Sequence, residues 1–156
     1  MVHLTPMTSS EFEVYLEQAV KDYAQDKIAA SSWQAEDALQ RAKTSYLELL
    51  PDGVATKNQH LFTVKDAQSD ANVGMIWFAE REDGPAPSAF IYDFSIDEDQ
   101  RRKGYGSQTL KALEIKVRNL GLETLSLHVF GHNKGALALY QKLGFEMIDI
   151  QMSKRL

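Results

Sequence analysis

No cysteine occurs anywhere in the 156 residues. That excludes disulfide scaffolding, thiolate metal sites and cysteine nucleophiles. Histidine is scarce, at four, and no pair forms an HExxH motif, so no zinc or other metal site is expected. No apolar run approaches the roughly 20 residues that span a bilayer. The segment Met1-Val2-His3-Leu4-Thr5-Pro6 has no basic stretch leading into an apolar one, so no secretory signal is expected. Positive charge is also in deficit. A net charge of −5 disfavours broad binding to nucleic acid or an anionic membrane, and any anion site must come from a local cluster. Internal repeats and low-complexity tracts are missing too. What is present, 44% apolar and 25% charged residues, is the composition of one soluble, cytoplasmic domain covering residues 1–156.

Val2–Met7 reads as a short strand ended near Pro6. Thr8 followed three residues later by Glu11 is a capping box, and Phe12, Leu16, Ala19, Val20 and Tyr23 recur behind it at helical spacing. A second helix is expected after Ser31-Ser32, with Leu39, Ala42, Tyr46 and Leu50 on one face and a stop at Pro51-Asp52-Gly53. His60–Lys65 and Val73–Glu80 form an expected hairpin around Asp66–Asn72. After a turn-rich loop, Ala89–Ile96 carries Phe90, Tyr92, Phe94 and Ile96 on alternate positions. A helix with Leu110, Leu113, Val117 and Leu120 follows, closed at Gly121. Thr124–Phe130 reads as a strand and Lys134–Leu143 as a helix closed by Gly144. Phe145–Ile150 with Met152–Leu156 reads as a terminal strand pair. The order β-α-α-β-β-β-α-β-α-β-β is an α+β or mixed α/β arrangement.

Between Ile96 and the third helix lies Arg101-Arg102-Lys103-Gly104-Tyr105-Gly106. A helix start presents unpaired N–H groups and the positive end of the helix dipole. Glycines at 104 and 106 let an anion approach the backbone, and three basic side chains add charge. The bland alternative is a solvated basic helix start. A Walker P-loop is excluded because its G-x-x-x-x-G-K-[ST] pattern is absent. A dinucleotide fingerprint would share Gly104-x-Gly106 and the downstream Glu123. However, Thr109 stands at the third glycine, and the loop lies too late for a following βαβαβ half.

Downstream, Asn133-x-x-Ala136-x-x-Leu139-Tyr140-x-x-x-Gly144-Phe145 stands at a fixed distance from Phe94-x-Ile96…Arg101-x-x-Gly104-x-Gly106. Together these motifs resemble the GNAT superfamily of acyl-CoA-dependent N-acyltransferases. The likeness covers about residues 89–150, and the preceding α-α-β-β order is similar as well. The resemblance implies a mixed, mostly antiparallel central sheet flanked by helices, with a splayed strand pair holding the acyl-CoA arm. It implies acetyl-CoA as co-substrate, with Arg101, Arg102, Lys103, Gly104, Tyr105, Gly106 and Ser107 around its pyrophosphate. Phe94, Ser95 and Ile96 would meet the pantetheine arm through their backbone, and Asn133 and Ala136 would face it from the other side. Tyr140 matches the family's usual general acid. An amine acceptor is implied but not named, and a homodimer is left open because dimers are common in the family.

Transfer from a thioester to an amine needs a neutral amine, donors for the developing oxyanion and a proton for the departing thiolate. A tyrosine, with reference pKa near 10, is protonated at neutral pH. Tyr140 lies one helical turn after Ala136, on the face turned to the sheet; the alternative is a core-facing aromatic. An alkylammonium, reference pKa about 10.4, must lose a proton before it attacks. Asp93, where many members carry an acidic residue, is the first candidate base, the alternative being a substrate anchor. Phe90 stands where some members place a glutamate, and Glu80 is the reserve. His128 reads as a satisfied strand histidine, Trp77 and Phe78 as core, and Trp33 and Tyr46 as candidates for the acceptor pocket. The rival to an enzyme is a non-catalytic acyl-CoA-binding sensor or interaction module, which could dispense with Tyr140.

Overall fold

A computed structural model describes residues 1–156. Its elements are β1 (Val2–Pro6), α1 (Ser9–Ala29), α2 (Ala35–Leu49), β2 (Gln59–Asp66), β3 (Asn72–Arg81), β4 (Ser88–Ile96), α3 (Tyr105–Asn119), β5 (Thr124–Leu127) and α4 (Lys134–Lys142). The sheet runs β1-β2-β3-β4-β5. All neighbours are antiparallel except β4 and β5, which are parallel.

Central position explains why β3 is the most apolar strand. It is buried from Val73 to Ala79, as expected of a strand covered on both faces. Trp77 and Met75 pack toward α1 and α2 with Ala19, Ala38, Ala42 and Tyr46. Ile76 and Phe78 pack toward α3 with Leu110, Leu113 and Val117, joined by Tyr140 of α4. The capping box that starts α1 is present, with Thr8 Oγ1 accepting from the Glu11 amide at 3.1 Å and Glu11 Oε1 from the Thr8 amide at 3.0 Å. On α2 the inward face is Ala38, Ala42 and Tyr46, not Leu39, which is 45% exposed.

Two local departures from regular geometry shape the middle of the sheet. Trp77 pairs with Asp93, but the next residue, Phe78, pairs with Ile91, so β4 carries one extra residue, Tyr92, opposite β3. Such a bulge turns the following side chain to a face it would not otherwise reach. Tyr92 stacks on Trp77 with centroids 4.7 Å apart, and Asp93 bonds to Tyr15 of α1, so both occupy the α1 side. Phe94 then packs on the α3 side. The simple alternation expected from Phe90 to Ile96 is therefore broken in the middle. Gly74, opposite Ile96, is the second departure: a Cβ there would collide with the carbonyl oxygen of Ser95.

The C-terminal segment overturns one expectation. Phe145 packs edge-on against Tyr140 at 5.6 Å, but residues 146–156 form no strands. Met147, Ile148, Ile150 and Met152 are all more than half exposed. Alternating apolar residues make this stretch competent to pair, yet a strand exists only beside a partner, and nothing in the chain pairs with it. The strand expected over 124–130 likewise stops at Leu127, where its pairing with β4 ends.

Candidate active site

The pairing of β4 with β5 covers only Ser88–Ile91 against Thr124–Leu127. Beyond that point the two chains diverge. A cavity of about 940 Å³ opens there, lined by Tyr92–Ser95 on one lip and Leu127–Phe130 on the other. Tyr15 and Tyr46 close it from the helical side, and Asn133 and Tyr140 from the direction of α4.

Asp93 sits at the heart of this cavity because of the β4 bulge. The Tyr15 hydroxyl donates to its Oδ2 at 2.6 Å. Its carboxyl keeps some access to the cavity but is enclosed enough that burial holds its pKa above the usual range. The Tyr15 hydrogen bond works against that rise, while the charges of Asp22 and Asp26 add to it. Burial, the Asp93 charge and the shared hydrogen bond in turn push the Tyr15 phenol well up. Burial and Asp93 push Tyr46 up as well. Both tyrosines are therefore neutral donors at physiological pH.

Tyr140 is 9% exposed, and its hydroxyl has no partner in the protein although it borders the cavity. Its pKa is raised to about 12, chiefly by burial and then by Asp93. Helical spacing from the α4 start positions it. Asn133 caps that helix, accepting from the Ala136 amide at 3.4 Å, while also lining the cavity. Ala136 itself packs against the core on the α3 side.

The glycine loop turns into α3 at Gly104, whose φ of 85° suits a residue without a Cβ. None of the backbone N–H groups from Arg102 to Ser107 has an acceptor within the protein, which leaves a row of open donors at the helix start. Gly106 has a second reason to be glycine, since a Cβ would stand 3.2 Å from Leu139 of α4. Not every side chain of the loop faces outward. Arg101 Nε donates to the Ile96 carbonyl at 3.0 Å, Lys103 Nζ to Gln100 Oε1 at 3.1 Å, and the Tyr105 hydroxyl to Asp66 at 2.8 Å. Of the β4 residues expected at the arm, Phe94 and Ser95 line the cavity and Ile96 does not.

Several other expectations divide in the same way. Tyr46 lines the cavity, whereas Trp33 packs edge-on against Tyr23 at 5.5 Å outside it. Glu80 pairs with His60 at 2.8 Å and does not border the cavity that Asp93 lines. His128 lies past the end of β5, at the cavity edge and edge-on to Phe130 at 5.0 Å. Tyr15, Asp22 and Asp26 went unnoticed in the sequence. They form a helical stripe with Ala19, but the hydrophobic period of α1 runs through its apolar positions, and exposed carboxylates such as Asp22 carry no periodic signal.

Comparison with known proteins agrees with this geometry. The acetyltransferase (GNAT) family profile matches residues 16–145. YycN of Bacillus subtilis strain 168, described as an uncharacterized N-acetyltransferase, is 43% identical over 155 residues, covering 99% of each chain. YdgE of the same organism, described in the same words, is 34% identical over 153 residues, covering 98% of this chain and 97% of its own. The crystal structure of YycN superposes with a TM-score of 0.94 at 42% identity, covering 100% of this chain and 99% of that one. The chain belongs to the GNAT family and is an acyl-CoA-dependent N-acetyltransferase.

Proposed function

We propose that this enzyme moves an acetyl group from acetyl-CoA directly to the primary amine of a small molecule or peptide, with Asp93 as the proton acceptor and Tyr140 as the donor to the leaving sulfur. The observation that carries this reading is the meeting of an unpartnered Tyr140 hydroxyl and the Asp93 carboxylate in one cavity where β4 leaves β5. The open amides of residues 102–107 fit a pyrophosphate, with Arg102 free to add charge. Beyond Ile91 the β4 backbone has no partner on its β5 side, so an extended arm can pair with Phe94 and Ser95 as an added strand would.

In this scheme the raised pKa of Asp93 makes it a better base than an exposed aspartate, and Tyr15 keeps its carboxylate oriented. One proton leaves the ammonium nitrogen for Asp93, and the nitrogen bonds to the acetyl carbon. The carbon–sulfur bond breaks with the Tyr140 hydroxyl hydrogen-bonded to the departing sulfur, which takes up the second nitrogen proton as the amide forms. The exposed apolar residues between Met147 and Met152 support a homodimer in which a second copy covers them. Sedimentation of the intact chain as a monomer at micromolar concentration would remove that part of the reading.

The central test is thermal stabilisation by acetyl-CoA and not by NAD, followed by CoA release on a panel of amines. A saturating concentration of acetyl-CoA that leaves the melting temperature unmoved overturns the site assignment.

A further inference from the structure

Charge on the acceptor side of the cavity is lopsided. Five carboxylates line the cavity, Glu11, Asp22, Asp26, Asp93 and Asp97, against two permanent cations, Lys27 and Arg81. Glu11 is engaged by the Thr8 cap and by the Thr63 hydroxyl at 2.8 Å. Arg81 is engaged by the Tyr92 hydroxyl at 2.8 Å and lies 3.8 Å over the Phe90 ring. Asp97 stands just beyond β4 with the Arg101 charge near it, which leaves Asp22 and Asp26 on α1. They stand one turn apart on α1, on the stripe that carries Tyr15 to Asp93. Asp22 is met only by the Gln18 amide at 2.9 Å, and Asp26 only by His132 at 3.4 Å. Neither has a lysine or arginine partner.

Two independent features indicate what would answer those charges. The Lys27 ammonium lies 5.7 Å from the Tyr23 ring, 5.3 Å from Trp33 and 5.9 Å from Phe130, so the wall beside Asp26 already accommodates an alkylammonium among aromatic rings. Tyr140, nine-tenths buried, aims an unpartnered hydroxyl into the same cavity. That fixes the reacting end deep, at Asp93, and leaves the rest of the acceptor to run along α1.

We propose that the acceptor is an aliphatic di- or polyamine, with its reacting nitrogen at Asp93 and a second, protonated nitrogen held by Asp22 and Asp26. The proposal rests on the acetyl-transfer reading above. Side chains one helical turn apart have Cβ atoms about 5–6 Å apart, close enough for both carboxylates to meet one ammonium. The methylenes would lie against Tyr23 and Phe130, both of which border the cavity. A monoamine leaves the two α1 carboxylates unanswered, and a free amino acid brings them a like charge.

Butylamine and putrescine, which differ by one terminal amine, make the test, with CoA release followed at low salt. Each solvent-facing ion pair contributes little, so two together are expected to favour putrescine by roughly ten-fold in kcat/KM. That preference should shrink as salt is raised and collapse toward unity in the Asp22→Asn, Asp26→Asn double variant. Equal use of both amines by the wild type overturns the diamine proposal while leaving acetyl transfer standing. Turnover of neither amine overturns it too, and the acetyl-CoA thermal shift then decides separately whether the co-substrate site survives. A putrescine preference that persists undiminished in the double variant refutes the role of these two residues.

Discussion

Replacing Tyr140 by phenylalanine distinguishes a hydrogen-bond donor from a full proton donor. Burial raises the Tyr140 pKa to about 12, while a free thiol has a reference value of about 8.5. Complete transfer of the phenolic proton to a thiolate would thus be uphill by roughly 5 kcal/mol, at about 1.36 kcal/mol per pKa. Tyr140 is therefore expected to remain a neutral phenol that donates a hydrogen bond as charge builds on sulfur. A hydrogen bond to a charged group contributes about 1.5–3 kcal/mol, which converts to a fall in kcat of about 10- to 150-fold in Tyr140→Phe. The ring packs against Phe145 and the hydroxyl has no protein partner, so the melting temperature should hardly move. The assay is steady-state CoA release with any accepted amine, run from pH 6 to 10. Wild-type kcat should show no alkaline decline in that range, because Tyr140 keeps its proton until about pH 12. A loss beyond about 10⁴-fold, or a wild-type decline centred near pH 8–9 that vanishes in the variant, would refute the donor argument and restore a titrating acid.

Three further perturbations test the surroundings. Asp93→Asn should lower kcat by about 10²-fold or more and abolish the rising acid limb of its pH profile. Because folding raises the Asp93 pKa, its stabilising protonated form is lost as pH rises through the folded value, so the charge costs stability at neutral pH. The asparagine variant should consequently melt higher than wild type at pH 8, with the gap closing toward pH 4; a lower melting temperature at pH 8 contradicts the burial argument. Tyr15→Phe removes the 2.6 Å donor that holds the Asp93 pKa down, so the rising limb should move to higher pH, with activity at pH 6 suffering more than at pH 9. It should also cost about 1–3 kcal/mol of stability in chemical denaturation, as expected when a buried acceptor loses its partner. Gly74→Ala forces a Cβ into the Ser95 carbonyl and should cost about 1–3 kcal/mol while raising the KM for acetyl-CoA, since Ser95 lines the cavity. A fully stable variant with unchanged KM would show that β3 and β4 can part there without consequence.

The elements that were legible in the sequence are those whose signals are local. Thr8 with Glu11 announces the start of α1, Gly121 and Gly144 lie just beyond the ends of α3 and α4, and two β-rich runs around a loop announce the β2–β3 hairpin. The glycine loop was legible because a helix start, two glycines and basic side chains say the same thing. What was hidden is non-local. Residues 146–156 alternate as a strand does, but whether a strand forms depends on an edge that lies elsewhere. Asp22 and Asp26 are ordinary surface carboxylates on a helical wheel, and only the position of α1 over β4 makes them part of a cavity.

The bulge at Tyr92 shows most clearly why the site could not be read from pattern alone. A strand of period two would send Ile91 and Asp93 to the same face, which is the face of Leu110 and Leu113. There a carboxylate would be buried in an apolar core without a donor, at a cost of several kcal/mol. One extra residue reverses this. Ile91 keeps its place in the core, Tyr92 stacks on Trp77, and Asp93 turns to the Tyr15 hydroxyl and the cavity. The same irregularity lies where β4 stops pairing with β5, so the strand changes facing and loses its neighbour within two residues. A regular strand would keep both the pairing and the alternation, and would offer neither an open edge for an extended arm nor a carboxylate beside it.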